Sequence, residues 1–551
     1  MNALLLFLDP NLPSNTDIIR DYRLAPHEPC GPTGTSCIFL EVGATRWTWV
    51  FRKKLTNGYK KVNLSEGQGI YSTLPTTPTT LQGRVMILFH FLLAALASTV
   101  ALAAHLKDSL NAAGIVAVFP GDPKYANASI AYNLRFEFKP AVVTFPKDSQ
   151  DVSEILKIST ALNMKAAARS GGHSYIANGL GGENGVVVLD MQNFQNITVN
   201  PSEGTAIIES GNRLGRIALT LSKHGRALPH GTCAYIGIGG HAAYGGFSFV
   251  SRMWGLTLDT ITAGMRGSGG SFGIVTSIEV KTFPEPPSAT TFEYAWTLDV
   301  DGVANGLGAL QTYAQTNIPP EINAEIRLLR GPQMGTIVFH LDGVWYEAPD
   351  RFNATIAPLI NNMPEGPNVT ISTGTYIESA EHVALGSLDT SQPDEHDTFY
   401  AKSLMTPECS PISLKARTAL AEYLATEGMK STTAWNVEVE LWGGRNSAIN
   451  VVSPDATSFA HRSSLFTIQF YASSSLPPFP DDGLSFLDKM VDSIISNSPK
   501  DWDYGAYPNY IDSRLPDWQK RYYGAHYPRL RALKRKYDPQ DIFDFPTAVE
   551  E

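Results

Sequence analysis

Ala168-Arg169-Ser170-Gly171-Gly172-His173-Ser174-Tyr175 runs from a small apolar strand end into a double glycine and a histidine. Farther along, Thr232-Cys233-Ala234-Tyr235-Ile236-Gly237-Ile238-Gly239-Gly240-His241 repeats the device with a thiol in place of the imidazole. A third run, Gly267-Ser268-Gly269-Gly270-Ser271-Phe272-Gly273-Ile274-Val275, follows. Glycines without a Cβ let the backbone come close to a ligand. Ser170-Gly171-Gly172 and Gly237-Ile238-Gly239-Gly240 can each offer successive backbone N–H groups to an anion such as a pyrophosphate. A plain glycine turn accounts equally well for either run alone. Neither matches the Gly-x-Gly-x-x-Gly fingerprint of a dinucleotide-binding strand–helix turn, so a Rossmann domain is not assigned. A lone loop histidine is ordinarily a surface imidazole and a lone cysteine an inert buried thiol, and both readings stay open for His173 and Cys233 at this point.

The chain has 551 residues, enough for two or three cores. Its net charge of −10 and the lack of a lysine/arginine block argue against a nucleic-acid partner. Four scattered cysteines make neither a disulfide framework nor a zinc site, and no metal is expected.

Residues 1–85 carry prolines, threonines and scattered aromatics without a sustained period, and do not read as a domain. The apolar run from Met86 through Val100-Ala101-Leu102-Ala103-Ala104, with Arg84 ahead of it and a small-residue end, has the form of a secretory signal peptide over 86–104. Met86 would then be the start and 1–85 an upstream extension. The expected product is extracellular, with no stable membrane association after cleavage; a signal anchor through 86–104 is the alternative. Asn127, Asn196, Asn353 and Asn368 open glycosylation sequons that agree with secretion.

Beyond the leader, Ala141–Pro146 and Gly185–Asp190 read as strands, and Ser149 as the cap of a helix with Val152, Ile155, Leu156 and Ser159 on one face. Asn196–Asn200 and Thr205–Glu209 are further strands, and Leu214–His224 is a helix closed by Gly225. After Pro284-Glu285-Pro286-Pro287 the texture changes. Glu325–Leu329, Thr336–Leu341, Asn436–Leu441 and Leu465–Tyr471 read as half-exposed antiparallel strands, mixed with helices such as Ser413–Ala425. The expected fold is α+β: one domain over 135–283, a second with an antiparallel sheet over 288–500, and a C-terminal segment over 505–551 returning to the first.

Arg169–Tyr175, Cys233–Gly246, Gly255–Asp259, Arg266–Val275, Tyr507–Asp512 and Tyr522-Tyr523-Gly524 occur in an order that resembles the berberine bridge enzyme-like flavoproteins of the vanillyl alcohol oxidase superfamily. The likeness runs from about Arg135 to Ala548 and extends to secreted fungal glucooligosaccharide and chitooligosaccharide oxidases. It implies a two-part FAD-binding domain and a bicovalent FAD, with His173 on the 8α carbon and Cys233 on C6. The cofactor would be cradled by Arg169, Ser170, Gly171, Gly172, Ser174, Gly237, Gly239, Gly240, Gly246, Gly273, Ile274 and Val275. In the family pattern the second tyrosine of Tyr507-Pro508-Asn509-Tyr510 is the catalytic base. A free tyrosine, with a pKa near 10, needs help to act so; Glu438 or Glu440, alternating on one strand face, is the candidate partner, with Glu440 taken as catalytic and Glu438 as substrate-contacting. Tyr175 and Gln469 resemble sugar-contacting positions, and Trp435 and Trp442 are candidates either for stacking on sugar or for the core.

The resemblance implies oxidation of the anomeric hydroxyl of an oligosaccharide to a lactone, with dioxygen as acceptor and hydrogen peroxide as product. A same-fold oxidase of a secondary-metabolite alcohol or amine is the alternative. One departure stands out. Only Thr260-Ile261-Thr262-Ala263-Gly264-Met265 separate Asp259 from Arg266, where family members carry a further strand, turn and short helix. A chain disabled at this gap, with FAD binding lost, is the alternative of another class.

Overall fold

The computed structural model describes residues 101–551 except 385 and, ahead of them, only the strands Tyr22–Arg23, Ser36–Val42 and Thr45–Phe51. These three strands belong to a unit over Met1–His90 and pair antiparallel in chain order, with Ile38 opposite Trp49. Residues 86–100 of the signal-like stretch lie outside the described residues. Residues 101–112 are helical and bury Leu106 and Leu110. No described helix is long and apolar enough to cross a membrane.

The unit over Phe91–Glu551 is built on three larger sheets, with a two-stranded pairing of Arg226–Ala227 and Phe283–Pro284 beside them. The first joins β1 (Ala117–Val118), β2 (Val142–Thr144), β3 (Ala166–Arg169) and β4 (Val187–Asp190) in the order β1-β2-β4-β3. β2 and β3 both run parallel to β4, which is buried along its whole length. Parallel strands need crossover connections, and α1 (Ser149–Ala161) carries the chain from β2 to β3, on either side of β4. Its cap is Asp148 rather than the expected Ser149: Asp148 is the extended residue, and its carboxylate accepts from Asp151 N at 2.9 Å. β3, buried over Ala166 and Ala167, ends at Arg169, so the first glycine run leaves its carboxyl end.

The second sheet is antiparallel. It joins β5 (Ile197–Asn200), β6 (Thr205–Glu209), β7 (Ile261–Ala263) and β8 (Ser277–Lys281) in the order β7-β8-β6-β5. The short connection after Asp259 is spanned without a break. A four-residue helical turn, Thr257–Thr260, passes into the edge strand β7, and the chain then bends at Gly264 (φ +130°) and Gly267 (φ +97°). A side chain at Gly267 would be strained by the positive φ and would bring its Cβ 2.9 Å from Ser458 Cβ. β7 meets β8 with a register shift between Ile261 and Ala263.

The third sheet has seven strands: β9 (Ala289–Leu298), β10 (Ile322–Arg330), β11 (Ile337–Trp345), β12 (Asn368–Gly374), β13 (Phe399–Pro407), β14 (Ala434–Leu441) and β15 (Ser464–Ser473). Their order is β12-β9-β11-β10-β14-β15-β13, and every neighbouring pair is antiparallel. Three of these, β9, β12 and β13, were not foreseen. β13 is buried along nearly its whole length and so lacks the alternation that marks a half-exposed strand. It also holds Lys402, a residue that reads as solvent-facing but is paired inside with Asp512 at 2.7 Å. β15 is likewise buried on both faces rather than half-exposed.

One face of this sheet carries Phe292, Ile326, Phe339, Leu341, Val439 and Ile468 and packs on helices over Val300–Ala314, Leu414–Lys430 and Asp481–Ile495. Trp435 belongs to that core and donates to Gly428 O at 2.8 Å. Trp442 is fully buried and stacks on Phe247 at 4.6 Å. Neither indole is a stacking platform for sugar. The opposite face is polar, because β-strand side chains alternate. The C-terminal segment runs back to the first sheet: Ala166 N donates to Ile542 O at 2.9 Å, and Val549 N to Ser271 Oγ at 3.1 Å.

Candidate active site

The polar face of the third sheet and the three glycine runs enclose one cleft of about 610 Å³. Arg169, Ser170, Gly171, Gly172, His173, Ser174, Tyr175, Cys233, Gly237, Gly239, Gly240, Gly273, Ile274 and Val275 all line it. Glu438, Glu440, Gln469 and Tyr510 line it from the sheet side. Gly246 does not. It sits behind the cleft at φ +84°, with its N–H on Tyr507 Oη at 2.9 Å.

The loop side is made of backbone held against backbone. A Cβ on Gly171 would fall 2.3 Å from Gly237 N, and one on Gly237 would fall 2.1 Å from Gly171 N. Ser170 Oγ ties the two runs together, accepting from Gly239 N at 3.2 Å and donating to Ser210 O. The Arg169 guanidinium is held by Asp190, with Nε 2.9 Å from Oδ2, and by Ala128 O at 2.6 Å, so it braces the loop. Ser174 Oγ accepts from Asn178 N at 3.1 Å and closes the turn after His173.

His173 and Cys233, far apart in sequence, reach the same cleft. The His173 ring stacks on Tyr132, with centroids 4.0 Å apart, and its Nε2 is hydrogen-bonded to Asp394. Cys233 is solvent-accessible through the cleft, while protein on its other side raises its pKa by desolvation; the Asp394 charge adds to the rise and the Tyr235 N–H opposes it. An imidazole, a thiol and glycine-lined backbone on one elongated cavity fit an FAD attached at two points. His173 and Cys233 would hold its ring system, and the Ser170–Gly172 and Gly237–Gly240 backbones its phosphates.

The sheet side is made of side chains on two rungs. Across the strands, Glu293 pairs with Asp342, Asp342 with Glu325, Glu325 with Glu440, and Glu440 with Thr467. On the neighbouring rung His340 pairs with Arg327, Arg327 with Glu438, Glu438 with Gln469, and Gln469 with Ser403. Arg327 is the guanidinium of this wall and binds Asp342 at 2.6 Å. Glu438 is no solvated surface charge: it faces the cleft and accepts from Asn436 Nδ2 at 3.0 Å. Gln469 is buried and donates from Nε2 to Tyr175 Oη at 2.9 Å.

Tyr510 meets this wall from the C-terminal segment, and its hydroxyl donates to Glu440 Oε1 at 2.9 Å. Of the two candidate carboxylates, Glu440 is the one in contact. Burial lifts its pKa from 4.5 to about 8, with the Glu438 charge adding to the rise and the Tyr510 hydrogen bond opposing it. Burial, followed by the Glu440 charge, also holds the Tyr510 phenol well above its usual value. A lone tyrosinate is therefore disfavoured; a tyrosine that hands its own proton to Glu440 while taking another is not. Tyr507 positions Tyr510. Its ring lies edge-on to Tyr510 at 5.0 Å, and its oxygen accepts from Gly246 N and from Phe247 N at 3.1 Å. Tyr175 lies parallel to Tyr510, with centroids 6.0 Å apart and planes 3° from parallel.

Several groups of the site were not foreseen: Tyr132 and Asp394, which contact His173, and Glu293, Glu325, Arg327 and Asp342, which line the cleft. Glu325 and Arg327 alternate on a strand that was recognised, so that alternation carried a usable signal. Asp394 sits in a loop with no pattern of its own.

Residues 140–264 match the family described as FAD binding domain, and residues 506–550 match the family described as berberine and berberine like. The chain is 32% identical over 476 residues to a carbohydrate oxidase of Microdochium nivale, covering 81% of this chain and 94% of that one. It is 34% identical over 454 residues to a xylooligosaccharide oxidase of Thermothelomyces thermophilus, covering 76% and 89%. The solved structure of a Myceliophthora thermophila xylooligosaccharide oxidase in complex with xylobiose superimposes with a TM-score of 0.75 at 31% identity, over 81% of this chain and 99% of that one. A glucooligosaccharide oxidase from Acremonium strictum, described with a 6-S-cysteinyl, 8α-N1-histidyl FAD, superimposes with a TM-score of 0.75 at 28% identity, over 81% and 99%. The chain belongs to the berberine bridge enzyme-like FAD-linked oxidoreductases, and at family level it is a carbohydrate oxidase.

Proposed function

We propose that the protein oxidises the anomeric hydroxyl at the reducing end of an oligosaccharide, giving a lactone and, with dioxygen as acceptor, hydrogen peroxide. The observation that carries this reading is the Tyr510–Glu440 hydrogen bond, placed in the cleft that also receives His173 and Cys233. Tyr510 Oη takes the proton of the sugar hydroxyl while its own passes to Glu440 Oε1. The carbon so activated has a hydride to give, and bound FAD supplies the acceptor for it. Tyr175 and Gln469, joined by their hydrogen bond, and Glu438 beside them orient the sugar hydroxyls. The His173 imidazole and the Cys233 thiol would hold the ring system of FAD, and the loop-side backbone its phosphates. Bicovalent attachment agrees with the cleft's open mouth, since two bonds replace a deep enclosing pocket. The leader at 86–104 and the sequons agree with an extracellular place of work.

Acid precipitation tests the cofactor. Flavin absorbance is expected to stay with the pellet, and its complete release into the supernatant would exclude both bonds. A peroxide assay across cello-, xylo- and chito-oligosaccharides tests the substrate; activity on none of them, with flavin present, would overturn the sugar reading.

A further inference from the structure

His173 is approached from segments distant in sequence. Tyr132 covers one face of the imidazole, with 25° between the ring planes, and Asp394 takes Nε2. The loop end after Asp394 is pinned to the Tyr132 segment. Leu134 N donates to Asp397 O at 2.8 Å, Asp397 N donates to Tyr132 O at 3.2 Å, and His396 Nδ1 lies 2.9 Å from Ala131 O. The Asp397 carboxylate accepts from Tyr471 Oη and Ser473 Oγ, each at 2.5 Å. On its far side Asp394 lies 3.9 Å from the Arg213 guanidinium, which itself donates to Tyr235 O in the Cys233 run. Asp394 thus stands between the two attachment runs, on a fixed support.

A neutral imidazole carries its proton on one nitrogen or the other, and an ionised carboxylate can only accept. With Nε2 on Asp394 the proton sits there, and Nδ1 is left as the nitrogen with a free lone pair. We propose that Asp394 is a positioning residue for cofactor attachment, fixing His173 in the Nε2–H tautomer so that Nδ1 is the atom that bonds the 8α carbon of FAD. This rests on the reading of His173 as an attachment point. Forming the bond joins Nδ1 to that carbon, releases one proton from the methyl group and one from the imidazole, and leaves an electron pair on the ring system. Dioxygen removes the pair, taking both protons as hydrogen peroxide. While the bond forms the imidazole gains positive charge, and the Asp394 carboxylate lies where it stabilises that charge.

The test is mass spectrometry of peptides from acid-precipitated, proteolysed full-length protein, reading the fraction of the His173 and Cys233 peptides that carries flavin. In Asp394→Ala, attachment at His173 should slow by about tenfold or more, as expected for loss of a hydrogen bond to a charged group, while attachment at Cys233 continues. Asp394→Asn keeps an oxygen that accepts from Nε2–H and should restore part of the His173 fraction. A His173 peptide as fully modified in Asp394→Ala as in the unsubstituted protein would overturn the proposal. So would equal loss at both peptides, the sign of a purely structural loop role. If Asp394→Ala does not fold, Asp394→Asn carries the test alone, and an unchanged His173 attachment rate overturns the proposal. Unsubstituted protein with flavin on Cys233 only would instead overturn the reading of His173 itself.

Discussion

The two sides of the cleft are built from different material. The loop side is backbone. Gly171 and Gly237 interlock so closely that each occupies the place a side chain on the other would need. The sheet side is side chains standing on rungs, where Glu325, Glu438, Glu440 and Gln469 come from three strands and touch the cleft with their ends. A wall of backbone fails when anything is added to it, and a wall of side chains fails group by group. Substitutions on the first should therefore abolish cofactor binding outright; on the second they should separate the steps of the reaction.

The largest effect is expected from Gly171→Ala. Its Cβ would meet Gly237 N at 2.3 Å, and neither partner is a flexible side-chain tip that can move away. Overpacking of this kind costs about 1–3 kcal/mol, here taken from the contact that shapes the cleft. The purified variant should lack the flavin absorbance of the unsubstituted protein. Normal flavin content would show that the two runs can part without losing the site.

Tyr510→Phe tests the other side. It removes the hydroxyl and keeps the ring that packs against Tyr175 and Tyr507, so flavin content should be unchanged. Loss of a positioned proton acceptor costs about 100- to 10,000-fold, and the loss should fall on kcat. A bleached protein, or a kcat within a few-fold of normal, would place the proton transfer elsewhere.

The same contrast explains what could be read before any coordinates. Glycine runs are local, and the residues that interlock in space, Gly171 and Gly237, lie inside motifs that announce themselves. The rungs are not local. Glu325 faces Glu440 only because β10 and β14 are neighbours in the sheet, and strand order is not written in either strand's alternation. That Glu440 rather than Glu438 receives Tyr510 depends on where the C-terminal segment lands. Trp435 and Trp442 were ambiguous for a similar reason, since an indole beside a strand end looks the same whether it faces sugar or core. β13 stayed hidden because burial on both faces erases alternation, and Lys402 within it reads as exposed unless Asp512 is known to be its partner.

Glu440→Gln gives a smaller effect with a pH signature. The folded-state pKa is about 8 against an unperturbed 4.5, so between these values the native protein holds a proton that the unfolded chain gives up. The stability this group contributes is fully present below pH 4.5 and is lost as pH rises through about 8. Catalysis runs the opposite way, because only the carboxylate can receive the Tyr510 proton, so kcat/KM should rise through about pH 8. Glu440→Gln should remove that rise, lower kcat by about 100-fold, the lower end of the range for proton-transfer groups, and make the protein more stable at alkaline pH. A pH–rate profile with its rise intact would assign the ionisation to another group.

Gln469→Ala should show how finely the sheet side divides its work. Gln469 Nε2 holds Tyr175 Oη at 2.9 Å, and neither residue contacts Glu440 through a hydrogen bond, so the proton relay should survive. What is lost is one neutral hydrogen bond that orients Tyr175 toward substrate. At about 0.5–1.5 kcal/mol that corresponds to roughly a two- to tenfold change. It should appear in KM and leave kcat, flavin content and the alkaline rise in place, because the interaction serves ground state and transition state alike. A fall in kcat instead would mean that Tyr175, parallel to Tyr510 across the cleft, sets the angle at which Tyr510 meets the sugar hydroxyl, and that the side-chain wall is as indivisible as the backbone wall opposite.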